Sequence, residues 1–265
     1  MRKSLEILNR AAAQGMESVT SAWVAEQARV SPQGAANLLK QLRREGLVEQ
    51  VGHGLYAIRK LGVAGSKASS EDLALAVGAR FAGRPHRLAY RSALEYWDVL
   101  SHPWSEIQVS TPMRVRQRTL SGRPLRVIHE PASSVDLGTT SDRNGAVVSV
   151  FERALLDCAA RPELVGGADV IAEALVSGRD VDVVLLHELS DKVGNHAAYR
   201  RIGSIAGGIG DTRTSDALAQ FAGKVDNDID LEPRLAKVGP WKYRDRRWRV
   251  RWPITPDELV ASVRQ

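Results

Sequence analysis

Two side-chain amides and three basic side chains lie close together within the first sixty residues. Gln33 and Asn37 are four residues apart, so a helix places them one turn apart on the same face. Asn and Gln amides can form two hydrogen bonds with the edge of an adenine in the major groove. Lys40, Arg43 and Arg44 follow on the same helix, and cationic side chains there pair with DNA phosphates. This combination predicts a segment that reads base pairs and holds the DNA backbone.

This stretch has the signals of a complete helix. Ser31 suits an N-cap, and Pro32 suits the first helical position, where no backbone N–H is needed. The helix is expected to continue to about Glu45, since Gly46 is a natural C-terminal stop. Apolar residues at helical spacing are expected to form its buried side, namely Ala35, Leu38, Leu39 and Leu42.

A shorter helix and a β-hairpin complete the pattern. Ser18 or Thr20 is expected to cap a helix that ends at a three-residue turn before the longer one. Strands are expected at Leu47–Val51 and Leu55–Ile58, with glycines in the tight turn between them. This order of elements is typical of a winged helix-turn-helix, whose second helix fits a major groove about 12 Å wide.

A winged helix-turn-helix DNA-binding domain is therefore predicted for residues 1–60. Gly34 is small enough to let the helix backbone approach the bases, and His53 and Arg59 in the wing are placed to reach the DNA backbone or the minor groove. The alternative is a protein-interaction module in which these polar residues are ordinary surface groups. The candidate DNA-contacting residues are Ser31, Gln33, Gly34, Asn37, Lys40, Gln41, Arg43, Arg44, His53 and Arg59.

The rest of the chain is predicted to form a larger domain of mixed α/β (α+β) class. Residues 61–70 are small and polar and are expected to be a linker, so the second domain spans residues 71–265. Ser149 and Glu152 predict a capping box at the start of a helix, and Thr255–Glu258 is expected to cap the last one. Further helices are expected at 168–177, 181–191, 195–206 and 213–222.

Two basic stretches of this domain have the pattern of strands. A hairpin is expected at Arg114–Leu120 and Leu125–His129, and residues 247–252 alternate arginine with Trp or Val at period two. Their arginines are candidates for additional phosphate contacts or for docking an acidic protein surface. The alternative is an edge strand whose charges prevent aggregation. The candidate residues are Arg114, Arg116, Arg118, Arg247, Arg249 and Arg251.

Composition and charge exclude several classes of protein. The chain has 265 residues and is 43% hydrophobic, which is enough for a buried core, but its apolar runs are too short to cross a membrane. A single cysteine, Cys158, excludes an internal disulfide and a Cys-rich zinc site, so the cytoplasm is the expected compartment. The net charge of +6 is segmented: residues 1–60 hold 9 basic and 5 acidic side chains, whereas residues 131–236 hold 10 and 17.

Patterns of catalysis and of metal binding are not found. The acidic string from Asp226 to Glu232 lacks the spacing of a calcium loop and is interpreted as a solvated loop. The glycines between Gly203 and Gly210 follow no clear strand, so they are interpreted as a helix end rather than a dinucleotide site. No catalytic residue, metal or cofactor is predicted, and an enzyme is disfavoured.

Five segments taken together are similar to one known family. They are LLKQLRREGLVEQVGHGLYAI, YRSALEYWDVL, IQVSTP, VFERALLDCAA and YRRIGSIAGG. In content and order they resemble the AbiEi-type antitoxins of bacterial abortive-infection toxin–antitoxin systems. This chain departs from the family at Val150, where the family has Thr, and at Gly207-Gly208, which interrupts the second of its helical motifs. The matches to the family's T-x-x-R-T-L-L-D and R-R-L-G helices are Arg153, Asp157, Arg200, Arg201 and Gly203.

This resemblance implies a function that goes beyond DNA binding. Such proteins are autorepressors whose winged helix binds inverted repeats in the promoter of their own two-gene operon, so double-stranded DNA is the expected partner. The C-terminal domain neutralises a nucleotidyltransferase-like toxin encoded next door, in several members without a stable complex, and the six arginines named above are then candidate toxin contacts.

Two alternatives stay open. One is a ligand-responsive winged-helix regulator with an effector pocket in the larger domain. The other is a nuclease with a winged-helix appendage, in which Asp228 or Asp230 would bind the metal.

Overall fold

The computed structural model of the protein describes residues 3–16, 18–58, 70–81, 83–115, 119–120, 123–141, 146–223, 226–234 and 240–263. Its contacts divide the chain into two compact units. The first contains Met1–Arg84, Arg116–Leu125 and Asp142–Ala146, and the second contains Pro85–Val115, Arg126–Ser141 and Val147–Gln265. Most of the predicted linker, residues 61–69, lies outside the described residues. The helix that begins at Ser70 belongs to the first unit, whereas the predicted second domain begins at residue 71.

The first unit has the predicted winged helix-turn-helix architecture. Its strands form one antiparallel sheet in the order β1-β3-β2, and the helices pack their apolar faces on it and on one another. The strand β1 was not expected, and it forms because Val19 is buried between the helices and the hairpin. The elements are α1 (Lys3–Ala13), β1 (Ser18–Thr20), α2 (Ser21–Ala28), α3 (Pro32–Arg44), β2 (Val48–Gly52), β3 (Leu55–Ile58) and α4 (Ser70–Arg80).

Local hydrogen bonds explain where α2 and α3 begin and end. The Thr20 hydroxyl accepts a hydrogen bond from the Trp23 amide at 3.1 Å, so Thr20 rather than Ser18 is the N-cap of α2. The Ser31 hydroxyl accepts from the Gly34 amide at 3.2 Å, which confirms the predicted cap of α3. At the other end Gly46 has a φ of +71°, a conformation that favours glycine, and the helix stops there as predicted.

The second unit contains a mixed sheet. Its strand order is β7-β5-β4-β9-β8, in which β4 runs parallel to β9 and antiparallel to β5. Among the described residues of the predicted basic hairpin, Thr119 and Leu120 of β6 pair with Pro124 and Arg123 of β7, a part of the chain that belongs to the first unit, and Arg114 lies before β6. The strands are β4 (Arg87–Leu88), β5 (Ile107–Thr111), β6 (Thr119–Leu120), β7 (Arg123–His129), β8 (Thr139–Ser141) and β9 (Val147–Ser149).

Helices form the core of the second unit. Helices α7 and α10 are almost completely buried and pack on each other, and Leu155 and Cys158 of α7 have no exposed surface. The helices predicted at 168–177, 181–191, 195–206 and 213–222 are confirmed with small shifts of their ends. The helices are α5 (Tyr90–Tyr96), α6 (Ala132–Val135), α7 (Phe151–Ala160), α8 (Asp169–Val176), α9 (Val183–Val193), α10 (His196–Gly208), α11 (Thr212–Ala219) and α12 (Pro256–Val263). In the described part of the chain, none of the helices has the length and apolar character needed to cross a membrane.

A small second sheet lies at the end of the chain, and it corrects one strand prediction. It contains β10 (Ile229–Asp230), β11 (Tyr243–Asp245) and β12 (Val250–Trp252), in the order β10-β12-β11. The strand predicted for residues 247–252 begins only at Val250. The Asp245 carboxylate accepts hydrogen bonds from the amides of Arg247 and Trp248, at 2.9 and 3.1 Å, and so holds a turn where the strand was expected.

One of the two predicted capping boxes is wrong and the other is confirmed. The Ser149 hydroxyl accepts a hydrogen bond from Arg87 and donates one to the Leu88 carbonyl at 3.1 Å, so it does not cap α7. In the confirmed box, the Glu258 amide donates to the Thr255 hydroxyl at 3.2 Å, and the Thr255 amide donates to the Glu258 carboxylate at 2.7 Å. The difference arises because a distant arginine competes for Ser149.

Candidate nucleic-acid interface

The exposed face of α3 carries the predicted base-reading amides. Gln33 and Asn37 are both exposed, and the Gln33 amide donates a hydrogen bond to the Asn37 side-chain oxygen at 3.5 Å. The opposite face buries Ala35, Leu39 and Leu42 in the core of the first unit. Packing of the apolar side therefore fixes which way the two amides point, and the pair lines up along the helix axis.

Three cations continue the same surface toward the C-terminal end of α3. Lys40, Arg43 and Arg44 are exposed, and the sequence from Pro32 to Arg44 contains no acidic residue. Within the described residues, no carboxylate forms an ion pair with any of the three. Their charges are therefore available to an anionic partner such as a phosphate backbone.

Gln50 belongs to this surface although the sequence analysis did not single it out. Its side-chain oxygen accepts a hydrogen bond from the Arg43 guanidinium at 3.3 Å, and its amide donates to the Gly52 carbonyl at 3.3 Å. Gln50 lies on β2, seven residues after Arg43, and the tight turn at Gly46 brings the two together. The burial pattern of β2 does not alternate, because Val48 and Val51 are both buried, so strand periodicity could not have placed Gln50 on the outer face, and its partner follows only from the turn.

Ser31 and Gly34 lie at the start of α3, as its N-cap and in its first turn. A side chain at position 34 would start 3.0 Å from Cβ of Val30, so a larger residue there would require Val30 to shift by a few tenths of an ångström. Ser31 is exposed, and its hydroxyl is engaged as the cap described above. Gln41 is half-buried and donates a hydrogen bond to the Glu45 carboxylate at 3.0 Å.

The tip of the wing presents one predicted residue. His53 is exposed in the two-residue turn between β2 and β3, and Gly54 beside it has a φ of +69°. The Gly54 carbonyl accepts a hydrogen bond from the Ser21 amide at 2.7 Å, which ties the tip to the start of α2. Arg59, the other wing residue predicted to contact DNA, lies outside the described residues.

The predicted additional arginines differ from those of α3 in their partners. Arg114 is exposed, and Arg116 and Arg118 lie outside the described residues. The C-terminal three are each paired with an aspartate: Arg247 with Asp216, Arg249 with Asp228 at 3.0 Å, and Arg251 with Asp230 at 2.6 Å. Each of the three thus has a carboxylate partner within the second unit.

The acidic string is therefore not a solvated loop, which corrects the sequence analysis. Asp228 binds both Arg244 and Arg249, and the hydrogen bond from Arg244 lowers the pKa of the Asp228 carboxyl. Glu232 accepts a hydrogen bond from the Ala168 amide at 2.8 Å. Asp228 and Asp230, the acids that a nuclease would use, act here as partners of arginines.

The segment that resembles the R-R-L-G motif lies on α10, where its two arginines contact the small sheet. Arg200 donates to the carbonyls of Trp248 and Arg249, both at 2.9 Å, and Arg201 donates to those of Asp230 and Ala159, both at 2.8 Å. Burial lowers the pKa of both guanidinium groups. These arginines therefore tie α10 to the C-terminal strands and are not exposed to a partner.

Two glycines of α10 leave the space that two tryptophan rings fill. A side chain at Gly203 would start 2.2 Å from the ring of Trp248, and one at Gly208 would start 2.4 Å from the ring of Trp252. The interpretation of the glycines between Gly203 and Gly210 as a helix end is confirmed for Gly207, Gly208 and Gly210, since α10 ends at Gly208, and it is wrong for Gly203, which lies inside the helix. Gly203 and Gly208 have a packing role, so a dinucleotide-binding site is not needed to explain why glycine stands at these positions.

The segment that resembles the T-x-x-R-T-L-L-D motif contributes Arg153 and Asp157 to a buried ionic cluster in the second unit. Asp157 accepts from Arg153 at 2.8 Å, as the four-residue spacing indicates, and it also binds Arg87. Glu130 binds Arg87 at 2.8 Å and Arg153 at 3.1 Å, so two cations and two carboxylates balance. Burial lowers the pKa of Arg87, but the two carboxylates outweigh it and raise the pKa above its ordinary value. No local sequence pattern indicated that Arg87 and Glu130 would join this cluster.

A cleft of about 620 Å³ opens between α9, α10 and the segment after α11. Its floor is aromatic: the His187 ring stacks on Phe221 at a centroid distance of 5.0 Å and meets Tyr199 edge-on at 5.8 Å. Asp191 lies at the rim, 3.6 Å from His187 and 3.5 Å from His196. The cleft has the size of a small-molecule site.

The chain shares its fold with the RV2827C protein from Mycobacterium tuberculosis. The crystal structure of that protein matches with a TM-score of 0.61 at 19% sequence identity, and the match covers 98% of this chain and 93% of the other. At that identity the similarity concerns the fold alone. No protein-family model matches the chain. No curated protein matches it.

Proposed function

We propose that this protein is a DNA-binding repressor of its own promoter and an antitoxin against a nucleotidyltransferase-like toxin. The observation that supports the DNA half is the exposed face of α3, which combines two aligned amides with three cations that form no ion pair with a carboxylate of the described residues. Base recognition and phosphate binding need those two kinds of group on one surface. The protein acts in the cytoplasm on double-stranded DNA and needs no cofactor.

The mechanism assigns one role to each end of α3. Gln33 and Asn37 near its start read base edges in the major groove, with adenine as the preferred base. Lys40, Arg43 and Arg44 near its end bind phosphates and fix the register of the helix on the duplex. Two copies on inverted repeats cover the promoter and exclude the polymerase.

The antitoxin half rests on the family resemblance. The matched residues of both motifs are buried, so they hold the second unit together rather than meet a toxin. Any contact with the toxin uses other, exposed residues of the protein. Neutralisation without a stable complex is compatible with this arrangement.

DNA binding is tested by fluorescence anisotropy with the protein's own promoter and with a random-sequence duplex. Arg44→Ala weakens binding to both duplexes and reduces the slope of log affinity against log salt by about 0.9. Asn37→Ala weakens promoter binding by about 1–3 kcal/mol and so reduces the difference in affinity between the promoter and the random-sequence duplex. Equal binding by both variants and the unsubstituted protein would contradict the assignment of α3.

The antitoxin half is tested by the neighbouring gene. We expect an adjacent reading frame for a nucleotidyltransferase-type protein that stops growth when expressed alone. Co-expression of this chain restores growth, and Arg44→Ala still does so because neutralisation does not need promoter binding. If growth arrest persists although this protein is abundant and folded in the cells, the antitoxin role is wrong and the repressor role is unaffected.

A ligand-responsive regulator is the second candidate, and the aromatic cleft is the observation that favours it. A ligand that fills the cleft and binds only the free protein would release the promoter. Screening small aromatic compounds for release of labelled promoter DNA tests this. The effect must disappear in Phe221→Ala, which removes one ring of the floor.

A further inference from the structure

The recognition helix and the wing are joined by a chain of side-chain hydrogen bonds. The Arg43 guanidinium in the last turn of α3 donates to the Gln50 side-chain oxygen at 3.3 Å. The Gln50 amide then donates to the Gly52 carbonyl, which precedes the wing tip, at 3.3 Å. Gln50 thus uses both ends of its amide, one toward α3 and one toward the wing.

The backbone brings these groups together. After the glycine turn at Gly46 the chain enters β2 directly, and α3 packs on that strand. The pairing of β2 with β3 is irregular between Gln50 and Gly52. Such an irregularity re-aims side chains next to it and is common near functional sites.

The chemistry of the partner distinguishes Arg43 from the C-terminal arginines. An amide oxygen occupies one of the five N–H donors of the guanidinium and leaves its positive charge uncompensated. A carboxylate that pairs with a single arginine, as Asp230 does with Arg251, cancels that charge. The contact with Gln50 therefore orients Arg43 without removing its attraction for an anion.

We propose that Gln50 is a positioning residue for DNA binding, which holds Arg43 against a phosphate beside the wing. The recognition helix and the wing then bind the DNA backbone as one unit, since the side chain that contacts the phosphate is fixed to both. This inference rests on the proposed DNA-binding function and adds to it a residue that does not touch DNA itself. Holding one long side chain in place before binding is expected to change affinity about two- to tenfold.

The test measures binding to promoter and random-sequence duplexes over a series of salt concentrations. Gln50→Ala weakens binding to both duplexes about two- to tenfold, because free rotation of Arg43 must then be lost on binding. Gln50→Glu weakens it further, because a carboxylate cancels the charge of Arg43. In the Arg43→Ala background, Gln50→Ala has no further effect, which separates positioning from a general loss of structure.

The control is Gln14→Ala, a matched change at an exposed position of the first unit, where the side chain forms no hydrogen bond with the described residues. It leaves affinity and salt slope unchanged. If Gln50→Ala binds like the unsubstituted protein while Arg43→Ala is weakened, or if the two changes are additive, the positioning role is wrong and the DNA-binding function stands. If the unsubstituted protein binds neither duplex, both proposals fail.

Discussion

Arg43 and Arg251 each hydrogen-bond one side chain, but the partner of Arg43 is the amide of Gln50 and the partner of Arg251 is the carboxylate of Asp230. The first pair keeps a net positive charge, and the second is neutral. Side chains of the same type therefore make different contributions to an interface with DNA. The candidate phosphate contacts on α3 have the available charge, whereas the C-terminal arginines already have their counter-ions.

The Glu232 carboxyl gives a prediction at the same scale. Burial raises the pKa of this carboxyl above its ordinary value, and the hydrogen bond from Ala168 only partly offsets that. The folded state then binds the proton more tightly than the unfolded state, so stability decreases as pH rises from the ordinary glutamate pKa through the raised one. Glu232→Gln keeps an acceptor for Ala168 and removes the titration. Urea unfolding over this pH range is therefore expected to show a weaker decrease in the variant.

Glu188→Gln is the matched control for this prediction, since Glu188 is exposed on α9 and pairs with Lys192 at 3.5 Å. Its stability should follow that of the unsubstituted protein at every pH. An unchanged pH dependence in Glu232→Gln would show that the burial of this carboxyl has no energetic consequence.

At the scale of elements, α10 organises the C-terminal sheet. Its two buried arginines bind strand and turn carbonyls, and its glycines leave room for the rings of Trp248 and Trp252. The Trp248 indole N–H donates to the Ser215 hydroxyl at 3.1 Å, and the Trp252 indole N–H donates to the Ser204 hydroxyl at 2.9 Å. Both tryptophan rings thus pack on α10, and their indole N–H groups find hydrogen-bond acceptors on α11 and α10.

Gly203→Ala tests this packing. A methyl group at that position would overlap the Trp248 ring, so helix and ring must separate and the variant should lose about 1–3 kcal/mol of unfolding free energy. Chemical denaturation followed by tryptophan fluorescence measures the loss. Gly223→Ala is the control, since a Cβ added there would meet no described atom within 4 Å, and it should stay within about 0.5 kcal/mol. Equal stabilities of the two variants would contradict the packing role of Gly203 against the Trp248 ring.

At the scale of the whole molecule, the net charge of +6 is a poor guide to DNA binding. Residues 237–265 hold 8 basic and 3 acidic side chains, an excess larger than that of residues 1–60, which hold 9 and 5. The three arginines of that segment that were candidate contacts are paired with aspartates of residues 216–230. Counting charges along the sequence therefore overestimates the cationic surface.

Arg247→Ala tests the difference between total charge and available charge. Arg247 and Asp216 are about half exposed and compensate each other, so its loss should leave the salt slope of promoter binding unchanged. Arg44→Ala removes the same formal charge from α3 and should reduce that slope by about 0.9. Anisotropy titrations at several salt concentrations compare the two. Equal reductions would mean that the C-terminal arginines also contact DNA.

Local signals were sufficient to predict the winged helix and the exposed face of α3. Ser31, Pro32 and Gly46 act through the few residues next to them, and the apolar period of α3 selects its buried side without knowledge of the rest of the chain. Most helices of the second unit were predicted for the same reason. The amides and cations of α3 were placed correctly as a surface because a helix fixes their relative positions.

The tertiary structure decided the residues whose partners are far away in the sequence. Ser149 is engaged by Arg87, 62 residues earlier, and therefore does not cap α7. Arg249 finds Asp228, 21 residues earlier, and Gly203 is required by Trp248, 45 positions later in the chain. The sequence by itself determined which segments fold and which side of α3 is exposed, because those effects act over one or two turns. Only the folded chain decided which charges are compensated, since an ion pair depends on contacts that local spacing does not encode.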